Sequence, residues 1–120
     1  MRNKLKKNVF RNMSIINLDY PDKVIDYVLC IEVIEHLQSP DMVISEISRV
    51  LKVDGKCVLA TPDYSRKWWE LAEMFTPYKE EHVYKFTRKS LEEMCRQYGL
   101  YPMKHKYVAG CDYVGLFVKR

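Results

Sequence analysis

The residues able to do chemistry in this 120-residue chain cluster at two places. Glu32, Glu35 and His36 follow directly on an apolar run, Val24–Ile31, so two carboxyls and an imidazole stand together just past the end of one element. His82 lies in a polar stretch between Glu81 and Tyr84. Imidazole titrates near neutrality, so His82 is the candidate catalytic group, a general base for an acceptor hydroxyl or amine; simple loop packing is the alternative. Trp68, Leu71, Ala72 and Phe75 recur at helical spacing and read as a core stripe, which leaves Trp69, with Tyr84, as the candidate substrate-binding residues. No metal site is expected. Glu32, Glu35 and His36 have no further ligand pair near them, and Cys30, Cys57, Cys95 and Cys111 form no C-x-x-C pair.

The elements that must hold these residues follow from local pattern. Met13–Leu18 reads as a short strand stopped by the turn residues Asp19-Tyr20-Pro21-Asp22. Val24–Ile31 is apolar at nearly every position and rich in β-branched and aromatic residues, which predicts a strand of a parallel sheet buried on both faces. Ser39 as N-cap, Pro40 at the first helical position and the stripe Val43, Ile44, Ile47, Val50, Leu51 predict a helix over Pro40–Leu51. Lys56–Thr61 is the next strand, completing a βαβ unit. A helix is expected over Tyr64–Phe75, an irregular loop to Phe86, and a Thr87-capped helix over Arg88–Tyr98 that stops at Gly99. Tyr101–Val108 and Tyr113–Lys119 close the chain as an antiparallel hairpin. Residues 1–12 read as a basic leader and 13–120 as one domain.

Composition sets the broad class. With 48% hydrophobic and 30% charged residues the chain is globular, not disordered. No run approaches the roughly 20 apolar residues that span a bilayer, and no apolar segment follows the basic start as in a signal peptide. Three of the four cysteines lie in apolar runs, which suits buried, reduced thiols and a cytoplasmic location. The net charge is +4, but five positive charges and no acid lie in the first eleven residues, so the rest nets −1 (4 − 5). That start reads as a solvated tail; nucleic acid is not an expected partner, since no recognition motif accompanies it.

Four segments in order then carry a family resemblance. Asp26-Tyr27-Val28-Leu29-Cys30-Ile31-Glu32-Val33-Ile34-Glu35-His36-Leu37 resembles the fourth-strand segment of small-molecule class I S-adenosylmethionine-dependent methyltransferases. Glu46-Ile47-Ser48-Arg49-Val50-Leu51-Lys52 resembles the helix after it; Val53-Asp54-Gly55-Lys56 stands where the family has Pro-Gly-Gly and keeps only the last glycine. Ala60-Thr61-Pro62-Asp63 resembles the end of the fifth strand, and Glu81–Thr87 with Ser90-Leu91 and Tyr98-Gly99-Leu100 resembles the late segment. The resemblance runs over Ile15–Arg120. It implies an α/β fold, a partial Rossmann-like methyltransferase sheet, with S-adenosylmethionine as cofactor and a small-molecule or glycan-type methyl acceptor. By the same resemblance Asp19 and Tyr20 lie near the adenine, and Cys30, Ile31 and Glu32 line the methionine side with His36 close by. The alternatives are an ordinary turn at Asp19-Tyr20 and a structural role in fixing the loop for Glu35 and His36.

Family members also open with a strand, a G-x-G loop and a second strand ending in an acid for the ribose hydroxyls. Gly55, Gly99, Gly110 and Gly115 form no G-x-G, so neither cofactor loop nor ribose acid is expected here. The expectation is a chain that is incomplete by itself, its Val24–Ile31 strand an open sheet edge. It would self-associate or take a partner chain supplying the amino-terminal half; a non-catalytic subunit or remnant is the rival reading. Met13–Leu18 pairing beside that strand, or the Trp68–Phe75 helix folding over its bare face, are local remedies.

Overall fold

A computed structural model describes residues 10–67, 74 and 84–120. Strand β1 spans Ile25–Ile31. A single 3-10 turn, Ile34–His36, leads to helix α1, Pro40–Val50. Strand β2 is Leu51–Pro62, helix α2 Arg88–Gln97, and strands β3 and β4 are Leu100–Val108 and Asp112–Lys119. The sheet order is β1-β2-β4-β3, with β1 parallel to β2 and the other two pairings antiparallel. The expected α/β fold, a partial Rossmann-like methyltransferase sheet ending in a hairpin, is the one observed. Among the described residues no helix is long and apolar enough to cross a membrane.

Register fixes which side chains share a face, because neighbours across a ladder point the same way. Val28 and Cys30 stand beside Cys57 and Leu59, which stand beside Phe117 and Gly115. These residues join Val43, Ile44 and Ile47 of α1 and Leu91 and Cys95 of α2 in one buried core. Both helices therefore cover the same face, as the one-way stepping of the chain predicts. The other face carries Tyr27, Leu29, Val58, Val114 and Leu116. Tyr27 and Leu29 are each 71% exposed and Ile31 49%. The expectation that this strand is buried on both faces is thus corrected: β1 is packed on one face, bare on the other, and an edge of the sheet.

The helix ends show how local chemistry sets the boundaries. Thr87 accepts from the backbone of Ser90 and Ser90 Oγ accepts from the backbone of Thr87, a reciprocal cap. Ser39 occupies the N-cap of α1 but makes no side-chain cap bond, so Pro40 and Asp41 carry that start. Gly99 takes a left-handed φ of 82° after α2, the C-terminal stop read from its position. Strand β2 begins five residues earlier than Lys56. Its pairing jumps from Ile25↔Leu51 to Tyr27↔Lys56, so the Val53-Asp54-Gly55 stretch bulges out within the strand, with Asp54 at φ 68°.

One predicted element is absent. Met13–Leu18 forms no strand; Ser14 and Asn17 close a tight turn instead. The reason is competition for its backbone. Arg49 donates to the carbonyls of Leu18 and Tyr20 at 3.0 and 2.8 Å, while Leu18 N–H donates to Glu46. Glu46 and Arg49 are themselves paired at 2.7 Å. This side-chain clamp takes the hydrogen bonds that a strand would have given to β1. Between the captured segment and the sheet lies a groove of about 200 Å³ lined by Ile15, Leu18, Val28, Leu29, Val43 and Ile47. The helix expected over Tyr64–Phe75 lies mostly outside the described residues.

Candidate functional site

Parallel strands deliver their carboxyl ends to one rim of the sheet, and in an open α/β sheet that rim is where ligands sit. Here the rim is built from the end of β1, the end of β2 and the start of β4. Glu32 N–H still bonds Ala60 at 2.8 Å, one step past β1, and then Glu32 turns the chain sharply with φ at 55°. A non-glycine residue held left-handed is costly, and such strain collects at functional sites. The turn that follows buries Ile34 completely and Glu35 to 1% exposure. Glu35 is pinned on two sides: Thr61 Oγ donates to its Oε1 at 2.9 Å, and Tyr84 N–H donates to its carbonyl at 2.9 Å.

The second carboxyl oxygen of Glu35 is different. Among the described residues no N–H or hydroxyl donates to Oε2. His36 Nε2 stands 3.6 Å away, too long for a hydrogen bond, and the imidazole is exposed. Glu32 is the other carboxyl of this turn, and it is exposed. Burial first, then a hydrogen bond with Glu35 and the charges of Asp112 and Glu35, push Glu32 up to about 8. Two carboxyls can share a hydrogen bond only while one keeps its proton. The rim is therefore acidic, and Glu32 keeps its proton to a higher pH than an ordinary carboxyl.

A second buried carboxylate supports the rim from behind. Asp63 accepts from Ser65 N–H and Oγ at 2.9 and 2.6 Å and from Tyr107 Oη at 2.6 Å. Burial raises its carboxyl, but these hydrogen bonds outweigh that and hold it below the ordinary carboxylate value. Arg66 completes the corner by stacking 4.0 Å from the Tyr107 ring centroid and donating to Gly110. Asp63 thus ties the chain leaving β2 to the β3–β4 hairpin.

The candidate residues divide by place. Glu32, His36 and Tyr84 come together at the rim, with Tyr84 half-buried and its ring 4.5 Å from Phe86. Cys30 and Ile31 are neighbours in sequence but point to opposite faces. Cys30 is in the core, its thiol pushed up to about 11 by burial and by Glu35, and so reaches the rim only through its backbone. The Ile31 side chain lies on the bare face. Asp19 and Tyr20 are not brought to the rim: the Arg49 clamp holds them beside the last turn of α1, at the amino-terminal end of β1. Tyr20 lies there with the Arg11 guanidinium 5.4 Å from its ring centroid. His82 and Trp69 lie outside the described residues. Thr61 and Asp112 were missed by sequence reading, because their nearness to Glu35 and Glu32 comes from sheet register, not from spacing along the chain. Among the described residues no cluster of histidine, cysteine and carboxylate is able to hold a metal ion.

A sheet of this order, with both helices on one face and acidic side chains at the carboxyl rim, defines a Rossmann-like domain of the class I methyltransferase kind. The chain belongs to a methyltransferase-domain family, whose model matches residues 1–105. A solved protein from Pyrococcus horikoshii OT3 superposes with a TM-score of 0.74 at 18% identity, over 90% of this chain and 57% of that one. A Thermotoga maritima protein described as an S-adenosylmethionine-dependent methyltransferase, possible histamine N-methyltransferase, gives 0.74 at 19% identity, over 90% of this chain and 62% of its own. The Burkholderia thailandensis 1,6-didemethyltoxoflavin-N1-methyltransferase, solved with S-adenosylhomocysteine, gives 0.67 at 17% identity, over 89% and 48%. The chain thus spans about half to three-fifths of the length of these proteins. No curated protein matches it.

Proposed function

We propose that this chain supplies the carboxyl-terminal half of an S-adenosylmethionine-dependent methyltransferase site, acting on a small-molecule or glycan-type acceptor, and that the site is incomplete until a second chain covers β1. One observation carries this: the acidic rim adjoins an open strand edge whose outer face, at Tyr27, Leu29 and Ile31, is apolar and uncovered. The occupant is a second copy or a chain supplying the amino-terminal half.

The rim suits part of the cofactor. Glu32 and Glu35, with Asp112, make a negative pocket that favours a cationic group, while no described glycine forms a close-approach loop for a ribose at a helix start. S-adenosylmethionine, when bound, supplies an electrophilic methyl group. The chain's own residues then orient and desolvate: Glu35 is locked by Thr61, the turn after β1 is fixed by Glu32, and Tyr84 closes one side. His82 is the proposed base and Trp69 the proposed lid. If the chain instead acts as a non-catalytic subunit, the same β1 face is its docking surface.

Calorimetric titration with S-adenosylmethionine and S-adenosylhomocysteine tests the proposal. For the chain alone we expect affinity weaker than about 1 mM, equivalent to about 4 kcal/mol. Micromolar binding to a chain shown by light scattering to be monomeric would overturn the need for a second chain.

A further inference from the structure

The register leaves a whole sheet face bare, not only the outer side of β1. Neighbours across a ladder share a face, so rows of side chains cross all four strands on the side away from α1 and α2. Leu29, Val58, Leu116 and Lys104 form the middle row. The row toward the carboxyl rim runs from Ile31 to Lys106, and the row on the other side from Tyr27 through Lys56 to Tyr101. Leu29, Lys104 and Lys106 are exposed, and Val58 and Leu116 are half-buried. The face is thus apolar at β1 and ends in two lysines on the edge strand β3. Among the described residues neither lysine has an ion-pair partner, since the acids that pair do so elsewhere. Asp112, the acid aligned with this face, stands apart from them at the carboxyl rim.

We propose that this face takes an amphipathic helix of a different chain, its apolar stripe along Leu29, Val58 and Leu116 and its acidic flank against Lys104 and Lys106. This rests on the two-chain reading above and names the element by which the second chain docks. A parallel pair such as β1–β2 is found with helices over both faces, and α1 and α2 cover one. Four strands span about 15 Å from β1 to β3 at the usual strand spacing. A helix is about 10 Å across, so one laid over β2 and β4 reaches β1 with one flank and the lysines with the other. Lys104 and Lys106 stand about 7 Å apart along β3, and carboxylates one helical turn apart are spaced about 5–6 Å, so two acids on one flank meet two lysines. A second copy fits less well. A two-fold axis along the strands sets these lysines over the apolar β1 edge of the other copy, and an axis across the strands sets them over each other. Neither brings an acid to them. A flat lipid surface meets only part of a twisted sheet, whereas a helix follows it.

The test uses the full chain and two synthetic helical peptides of about five turns with the same leucine stripe, one flanked by glutamates and the other by lysines. The glutamate peptide is expected to move the backbone amide signals of Leu29, Val58, Leu116 and Lys104 saturably, and those of Val43 and Leu91 in the core not. The lysine peptide should bind about tenfold more weakly, as two exposed ion pairs become two repulsions. Lys104→Glu with Lys106→Glu, both at exposed positions, should reverse the preference. Lys104→Gln with Lys106→Gln should shrink it and keep the apolar contact. Equal binding of the two peptides, a preference that survives the glutamate substitutions, or no binding of either overturns the proposal. So does a dimer of the chain alone that Leu29→Lys breaks, which gives the face to a second copy. Phosphatidylserine vesicles moving the same signals where the glutamate peptide does not would give it to a lipid surface and overturn the proposal as well. If neither peptide binds and the monomeric chain takes S-adenosylhomocysteine at micromolar concentration, the two-chain reading falls too. If the cofactor also fails to bind, only the helical partner is lost.

Discussion

Thr61 and Glu35 lie 26 residues apart in sequence, yet the Thr61 hydroxyl donates to the Glu35 carboxyl across 2.9 Å in a place water does not reach. That bond joins the end of β2 to the turn after β1. Thr61→Val keeps the shape and removes the donor, leaving Glu35 with two unsatisfied buried oxygens. The expected loss is about 1–3 kcal/mol in urea unfolding. Thr61→Ser should restore most of it. A valine variant as stable as the parent would show that Glu35 is held by packing and by Tyr84 alone.

Glu32 links the rim to pH. Its carboxyl is raised in the folded chain from an ordinary 4.5 to about 8, so between those values the folded state holds a proton that the unfolded state has lost. Stability from this group is fully present below about 4.5 and declines as pH rises toward 8. Glu32→Gln cannot ionise. Its urea midpoint relative to the parent should therefore rise steadily between pH 5 and pH 8.5. A constant difference across that range would mean that the Glu32 carboxyl is not raised in the folded chain.

Much of this arrangement was legible from local pattern, and the failures share one cause. The stripe Val43, Ile44, Ile47, Val50 is buried as its period predicts, and Thr87 and Gly99 cap α2 where their chemistry says they should. The strand assigned to Met13–Leu18 failed because a strand is defined by its neighbour, and Glu46 with Arg49 competed successfully for its backbone. The same holds at the rim. Glu32, Glu35 and His36 are adjacent in sequence and were found, whereas Thr61 and Asp112 enter only through the ladders β1–β2 and β2–β4. The resemblance puts Asp19 and Tyr20 near the adenine, and in the fold Arg49 holds the Tyr20 carbonyl beside the last turn of α1.

Gly115 gives a prediction about packing beneath the site. A methyl group there would meet the Tyr113 ring at Cζ, 2.7 Å away, and Phe117 Cε1 at 2.8 Å. Tyr113 is fully buried and donates to Glu92 at 2.7 Å, while Arg88 pairs with the other oxygen of Glu92. Neither ring has room to retreat. Gly115→Ala should cost roughly 1–3 kcal/mol from overpacking and should also break the Tyr113–Glu92 bond. Adding Tyr113→Phe should then cost less in the alanine background than in the parent, since the bond is already lost. Independent, additive costs would show that the core shifts without disturbing Tyr113.

Leu29 decides whether the bare face of β1 is a surface or an interface. It is 71% exposed, on a strand whose outer edge has no described partner, and Tyr27 beside it is equally exposed. A lone monomer would keep that apolar face in water, where it gains nothing from burial. Leu29→Lys removes no core contact, because the core side of β1 is formed by Val28 and Cys30. If β1 is covered in solution, the substitution should shift the chain to monomer in sedimentation or light scattering while leaving its thermal midpoint at low concentration within a few degrees. If the parent is already monomeric and the lysine variant behaves identically, the face is not self-complementary.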